Sequence, residues 1–181
     1  MTSIALVVLT ATAFATEAEA DADAGARVYG SARGSLAVPA GYPGLATGLS
    51  AEVGAQFKGG QSLGLRFAMV PNPPAVLGKN TPEFAMGPAV VWTYHIRASS
   101  QLDISPTVGL GAVFGASPVD QTNQVLPYLQ GGLGLRYRVP MSTGGEFYIM
   151  PEAGLVPAIL APMVGVSVGI LGAPPAKVPA A

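Results

Sequence analysis

The chain contains no cysteine. A disulfide framework, a thiolate metal site and a lipid-bearing N-terminal cysteine are therefore excluded. Charge is scarce too: Asp, Glu, Lys and Arg make up 10% of the 181 residues, against about 25% in an ordinary soluble domain. The formal net charge is −1, which leaves no electrostatic footprint for nucleic acid and none for a strongly acidic or basic ligand. Half of the residues are hydrophobic, yet no long uncharged apolar run occurs before residue 153. The apolar content is spread by alternation instead. Glycine (24) and proline (17) are plentiful, and between alternating segments they read as turns and close packing.

From Arg27 to Leu171 the chain divides into eight segments in which every second residue is apolar. Period-two alternation marks a strand with one apolar face. In the first segment Val28, Leu36 and Val38 oppose Tyr29, Ser31, Arg33 and Ser35. In the second, Leu45, Leu49, Val53 and Phe57 oppose Ser50, Glu52, Gln56 and Lys58; in the third, Leu63, Leu65, Phe67 and Met69 oppose Ser62 and Arg66. The fourth sets Phe84, Met86, Val90, Trp92, Tyr94 and Ile96 against Thr93, His95 and Arg97. The fifth sets Leu102, Ile104, Val108, Leu110 and Phe114 against Asp103, Ser105 and Thr107. Leu129, Leu133, Leu135, Tyr137 and Val139 oppose Gln130, Arg136 and Arg138 in the sixth. Phe147, Ile149, Ala153 and Leu155 oppose Glu146, Tyr148 and Glu152 in the seventh, and Val164, Val166, Val168 and Ile170 oppose Ser167 in the last. Most segments reach the roughly 9–11 residues that a tilted membrane strand needs. An apolar stripe facing outward, with charge pointing into a narrow centre, is the pattern of a transmembrane β-barrel.

The connections agree with this. Gly59-Gly60-Gln61, Ser99-Ser100-Gln101 and Met141-Ser142-Thr143 are short and fall on alternate connections. Lys58 and Ser62 share a face, which requires an odd loop, and a three-residue hairpin with glycine in the left-handed position supplies it. The stretches 40–44, 71–83 and 117–124 are longer or irregular. Short turns at one end and longer loops at the other are the bacterial outer-membrane arrangement. With the short turns periplasmic, Phe57, Trp92, Tyr94, Tyr137 and Phe147 fall on the lipid face near that boundary, and Phe84 and Phe114 near the outer one. Such girdles suit amphipathic rings at an interface.

Residues 1–24 read as a signal peptide with a short spacer. Ile4 to Leu9 form an apolar core, and Ala13-Phe14-Ala15 and Ala18-Glu19-Ala20 offer small-x-small cleavage sites, although Met1-Thr2-Ser3 carries no positive charge. Cleavage after Ala20 would leave eight acidic and nine basic residues. The barrel domain is expected over 25–171, followed by a Pro/Ala-rich tail over 172–181.

With these features the chain resembles the small eight-stranded outer-membrane barrels of the OmpA and OmpX type, by architecture over residues 27–171 and without a diagnostic motif. The resemblance implies an all-β, antiparallel, up-and-down barrel in the outer membrane of a Gram-negative bacterium, with both ends in the periplasm. Two features depart from the type. The chain runs on past its last segment without a terminal aromatic, and Pro88, Pro106 and Pro151 fall inside strands, where each removes a ladder donor. An unpaired backbone group in lipid costs several kcal/mol, so each proline needs local relief.

Eight strands enclose a lumen that side chains just fill. The inward charges Arg33, Glu52, Arg66, Arg97, Asp103, Arg136, Arg138, Glu146 and Glu152 are expected to cancel in a polar plug. Arg97 faces Asp103 and Arg138 faces Glu146 across short turns, and Glu52 lies diagonally within reach of Arg66. Inward glycines such as Gly109, Gly132 and Gly165 leave room for water and keep a gated small-ion or small-solute channel as an alternative. Catalysis has little support. A set of Ser105, His95 and Asp103 rests on spacing alone. The His-x-Ser pair of barrel lipid-A hydrolases is broken by Arg97, two residues after His95. No metal, cofactor or phosphate-loop motif is present. The uncharged stretch 153–176 has a rival reading as a membrane helix, because Gly165 and Gly169 give a small-xxx-small match, but Pro157, Pro162 and the alternating valines oppose it. A soluble exported barrel binding an apolar ligand is the remaining alternative. The expectation is a non-enzymatic, envelope-structural barrel without cofactor, whose partners are outer-membrane lipid and a protein or ligand at the outer loops.

Overall fold

The computed structural model describes residues 25–38, 45–71, 84–116, 123–156 and 161–174. It contains β1 (Arg27–Ala37), β2 (Ala46–Gln56), β3 (Gln61–Pro71), β4 (Phe84–Tyr94), β5 (Ile96–Arg97), β6 (Leu102–Ala116), β7 (Asn123–Pro140), β8 (Glu146–Val156) and β9 (Ala161–Leu171). β5 resumes β4 after a break at His95, so the nine strands make eight staves. Each stave pairs antiparallel with its sequence neighbours, and β1 pairs with β9, which closes the sheet on itself. The stretch read alternatively as a membrane helix contains β9, paired with both β8 and β1. Its valine alternation prevails because each outward valine joins the exposed apolar wall while the intervening Gly and Ser fit the lumen.

The faces are inverted relative to a soluble barrel. Leu110 (64% exposed) and Leu65 (56%) stand outward, while Arg66 (3%) and Asp103 (2%) are buried inside. Trp92, Tyr94, Tyr137, Phe57 and Phe114 are exposed on the outer wall and Phe147 is half-buried; of Phe84 only the backbone is described. Trp92 and Tyr94 lie nearly parallel, with ring centroids 6.4 Å apart.

Three tight hairpins lie at one end. The Phe57 N–H donates to Gln61 O at 2.7 Å around Lys58-Gly59-Gly60, and the Met141 N–H donates to Gly145 O at 2.9 Å around Ser142-Thr143-Gly144. Both loops have the expected length but sit one residue from the sequence reading, because the left-handed position takes the glycine: φ is +84° at Gly60 and +83° at Gly144. The third loop is Ser99-Ser100-Gln101, closed by the Ala98 N–H on Leu102 O at 2.9 Å. The largest departure is β7, which begins at Asn123, six residues before the first clean alternation at Leu129. Pairing with β6, from Asn123 opposite Ala116 to Tyr128 opposite Gly111, holds this less regular stretch in the sheet.

The in-strand prolines are accommodated by gaps in the ladders. Between β4 and β6 the pairing is interrupted at Gly87-Pro88 and again where Pro106 would meet Tyr94. The β7–β8 ladder is interrupted opposite Pro151. On the other side each proline stays paired: Pro88 with Phe67, Pro106 with Leu133 and Pro151 with Val166. The missing N–H thus falls where no ladder bond is made.

Candidate functional site

The lumen is the site that the inward residues build, and it has two storeys. Towards the end opposite the tight hairpins, the buried inward positions are apolar, most of them alanine: Ala46, Ala68, Ala85, Val113, Ala161 and Met163. Charge begins at mid-height and fills the rest down to the hairpins. The inward charges thus occupy one part of the described lumen, a division the sequence does not signal because alanine is neutral in an alternation pattern.

At mid-height, Glu52 and Arg66 are direct cross-strand partners on β2 and β3, and Arg66 Nη2 lies 2.7 Å from Glu52 Oε2. The Tyr29 hydroxyl donates to Glu52 Oε1 at 2.5 Å. Arg33 pairs with Glu152, to which Ser167 Oγ also donates at 3.3 Å. The two pairs are joined through Gln130, which is fully buried: its Oε1 accepts from Arg33 Nη1 at 2.8 Å, Arg66 Nη1 at 2.9 Å and the Tyr128 hydroxyl.

A second cluster lies nearer the hairpins. Asp103 Oδ2 accepts from Arg136 Nη2 at 2.7 Å and lies 3.0 Å from Arg138 Nε. Arg138 continues to Glu146 at 3.3 Å, and Glu146 binds Arg27 at 2.8 Å. Arg27 Nε also donates to Gly172 O at 2.8 Å, so this chain of contacts reaches the seam where the first and last strands meet.

Of the nine inward charges expected in the network, Arg97 is the exception. It stands opposite Asp103 in the β5–β6 ladder, but it is exposed at the rim and has no ion pair among the described residues. Asp103 turns to Arg136 and Arg138 inside the barrel, where both guanidiniums are buried. Sequence reasoning also missed Gln130 as a hub. Its only signal was an uncharged polar residue alone on the inward face of a glycine-rich stretch.

His95 sits between the two clusters, where the fourth stave breaks. Its Nε2 lies 2.7 Å from Ser62 Oγ and 3.3 Å from Arg136 Nη1, and its Nδ1 lies 2.9 Å from Ser105 Oγ. A guanidinium only donates, so Nε2 is the acceptor and the proton resides on Nδ1, donating to Ser105. Asp103 is engaged by arginines, so the structure does not bring Ser105, His95 and Asp103 together as a nucleophile–base–acid relay; Ser62 and Ser105 are both buried. Beside His95 lies a cavity of about 20 Å³ lined by Ser62, Glu52, Arg66, Arg136, Tyr148 and Ser167 among others. That is room for about one water molecule. Among the described residues, no group of His, Cys, Asp and Glu is placed to hold a metal ion.

The outer loops lie outside the described residues: all of 40–44, 72–83 of the stretch 71–83, and 117–122 of the stretch 117–124. The same holds for the expected signal at 1–24 and for 175–181 of the tail.

No family model matches the chain, and neither does any curated protein sequence. Solved structures do match. Neisserial surface protein A superposes with a TM-score of 0.54 at 12% identity, covering 82% of this chain and 96% of that one. The attachment invasion locus protein Ail of Yersinia pestis gives 0.48 at 14% identity, covering 81% and 95%. The N-terminal β-barrel domain of Pseudomonas aeruginosa OprF gives 0.42 at 11% identity, covering 79% and 96%. On the first of these superpositions and its own closed sheet, the chain has the fold of a small eight-stranded outer-membrane barrel.

Proposed function

We propose that the protein is a non-enzymatic barrel of a Gram-negative outer membrane, envelope-structural in role, with a lumen plugged by its own ion pairs. The observation that carries this reading is the pairing of an exposed hydrophobic outer wall with an interior in which every buried arginine is held by a carboxylate, five arginines in all sharing four acidic partners. Lipid satisfies the first condition, and no through-passage is needed for the second. Leucines and valines exposed along the staves leave no polar outer face for a soluble ligand-binding barrel. Interaction with a protein or ligand is assigned to the outer connections, since loops on rigid scaffolds carry function. Residues 1–24 supply the export signal and a short spacer in this reading.

Heat-modifiability tests it. The protein from an outer-membrane fraction should migrate differently on a detergent gel when boiled and unboiled. Absence from that fraction, or identical mobility, would remove the reading.

A gated small-ion channel is the second reading, favoured by the polar cavity beside His95 and its contact with Glu52 and Arg66. Planar-bilayer recording decides between the two. A plugged barrel gives flat traces, whereas a channel gives discrete conductance that changes in Glu52→Ala or Arg66→Ala.

A further inference from the structure

Five of the described cations, Arg27, Arg33, Arg66, Arg136 and Arg138, are ion-paired with Glu52, Asp103, Glu146 and Glu152. Lys58 and Arg97 are the two with no ion pair among the described residues, and both are exposed. They stand at the same end of the barrel on adjoining backbone: the His95 N–H donates to Gly60 O at 2.7 Å, tying the Lys58 turn to the stretch that leads into Arg97. Each follows a lipid-face side chain, Phe57 before Lys58 and Ile96 before Arg97, and Tyr94 is exposed on the same rim. At the opposite ends of the staves the described residues carry no charge at all; described charge extends only from mid-lumen to the hairpins.

We propose that Lys58 and Arg97 form a docking patch for the phosphate groups of anionic phospholipid in the leaflet around the hairpin end. The proposal rests on the reading of the barrel as membrane-embedded. Exposed cations directly beyond a belt of apolar and aromatic side chains lie at headgroup height. Each cation there is attracted to an anionic lipid surface, by about fivefold in binding per charge. A ligand inside the lumen is disfavoured, because Arg136 and Arg138 are already engaged by Asp103. The patch also lies outside that plug, at the exposed hairpin rim.

The test uses the full chain, folded in detergent and supplied with equal amounts of phosphatidylglycerol and phosphatidylcholine. Retained lipids are counted by native mass spectrometry, with the gel shift as the check on folding. The wild type should retain phosphatidylglycerol preferentially. Lys58→Gln and Arg97→Gln should each reduce that preference by about fivefold, the double variant should lose most of it, and Lys58→Arg with Arg97→Lys should keep it. Equal retention of the two lipids by the wild type overturns the proposal, including the case in which the acidic residues of 17–23 neutralise the patch. An unchanged preference in the folded double variant overturns it as well. A wild-type chain that shows no gel shift overturns the membrane-barrel reading first, and this proposal with it.

Discussion

Arg33 and Arg66 stand on β1 and β3, and both donate to one atom, the Oε1 of Gln130, at 2.8 and 2.9 Å. Two guanidiniums can converge this way because each has its own carboxylate behind it, Glu152 for Arg33 and Glu52 for Arg66. The layer is neutral as a whole, and Gln130 joins the two pairs without adding charge.

Gln130→Leu should therefore destabilise the barrel well beyond its change in volume. It leaves two arginine N–H groups and the Tyr128 hydroxyl without their acceptor in a buried site. Each orphaned group costs about 1–3 kcal/mol, and more where it is charged. The temperature at which the heat-dependent gel shift occurs should fall clearly. A shift within a degree or two of wild type would mean that water replaces Gln130 at no cost.

Glu52→Ala leaves Arg66 buried and unpaired, which should cost about 3–5 kcal/mol. The double variant Glu52→Met/Arg66→Met removes both charges and should recover most of that loss. Urea unfolding of the folded protein in vesicles measures both. A double variant as unstable as the single one would show that the pair is needed for more than mutual neutralisation.

Two glycine substitutions should separate conformational strain from steric clash. Gly144→Ala places a side chain at φ +83° with its nearest neighbour 3.6 Å away, so it should cost only the left-handed penalty of about 1–2 kcal/mol. Gly60→Ala adds a Cβ 2.4 Å from the backbone oxygen of His95, and must also push the Lys58–Gly60 turn away from the break in the fourth stave. The second variant should be clearly less stable by thermal gel shift; equal stability would argue against this contact.

On the outer wall, Val166→Arg should block assembly or cost about 2–4 kcal/mol, as a cation near the bilayer midplane does. Val166→Leu should be near neutral. Val166 is 49% exposed and lies between Pro151 and Gly34 at mid-stave, so both expectations rest on lipid contact. Comparable folding yields of the two variants in vesicles would place this face in water.

The staves were legible in the sequence because alternation is a local property, and the odd hairpin loops followed from face parity. Two pairs close in sequence were legible too: Arg138–Glu146 across its short turn, and Glu52–Arg66, which the sequence places diagonally and the structure places directly opposite. Arg33–Glu152 and Arg136–Asp103 were named only as members of an inward set. Arg136 and Asp103 are direct partners in the β6–β7 ladder, but β6 and β7 are joined by a long connection that does not fix their register. Arg33 and Glu152 stand on staves that are not paired with each other, and alternation does not encode such displacements. Arg97 shows the limit in the other direction. Its sequence distance to Asp103 was right, but the carboxylate had two buried arginines to choose from, and these prevailed. The apolar upper storey escaped notice because alanine reads as neither face, and the early start of β7 because its first residues pair without alternating.

The ladder gaps at Pro88, Pro106 and Pro151 also bear on how this chain avoids mispairing. A slip of two residues would keep every apolar side chain outward, so lipid alone discriminates weakly against it. It would, however, carry each imide nitrogen away from its gap and bring a donor-less position into a bonded one, which in the proposed membrane setting no water compensates. The three prolines thus act as vertical index marks. They make a shifted but correctly faced barrel costlier than the native one, at positions spread over three of the eight staves.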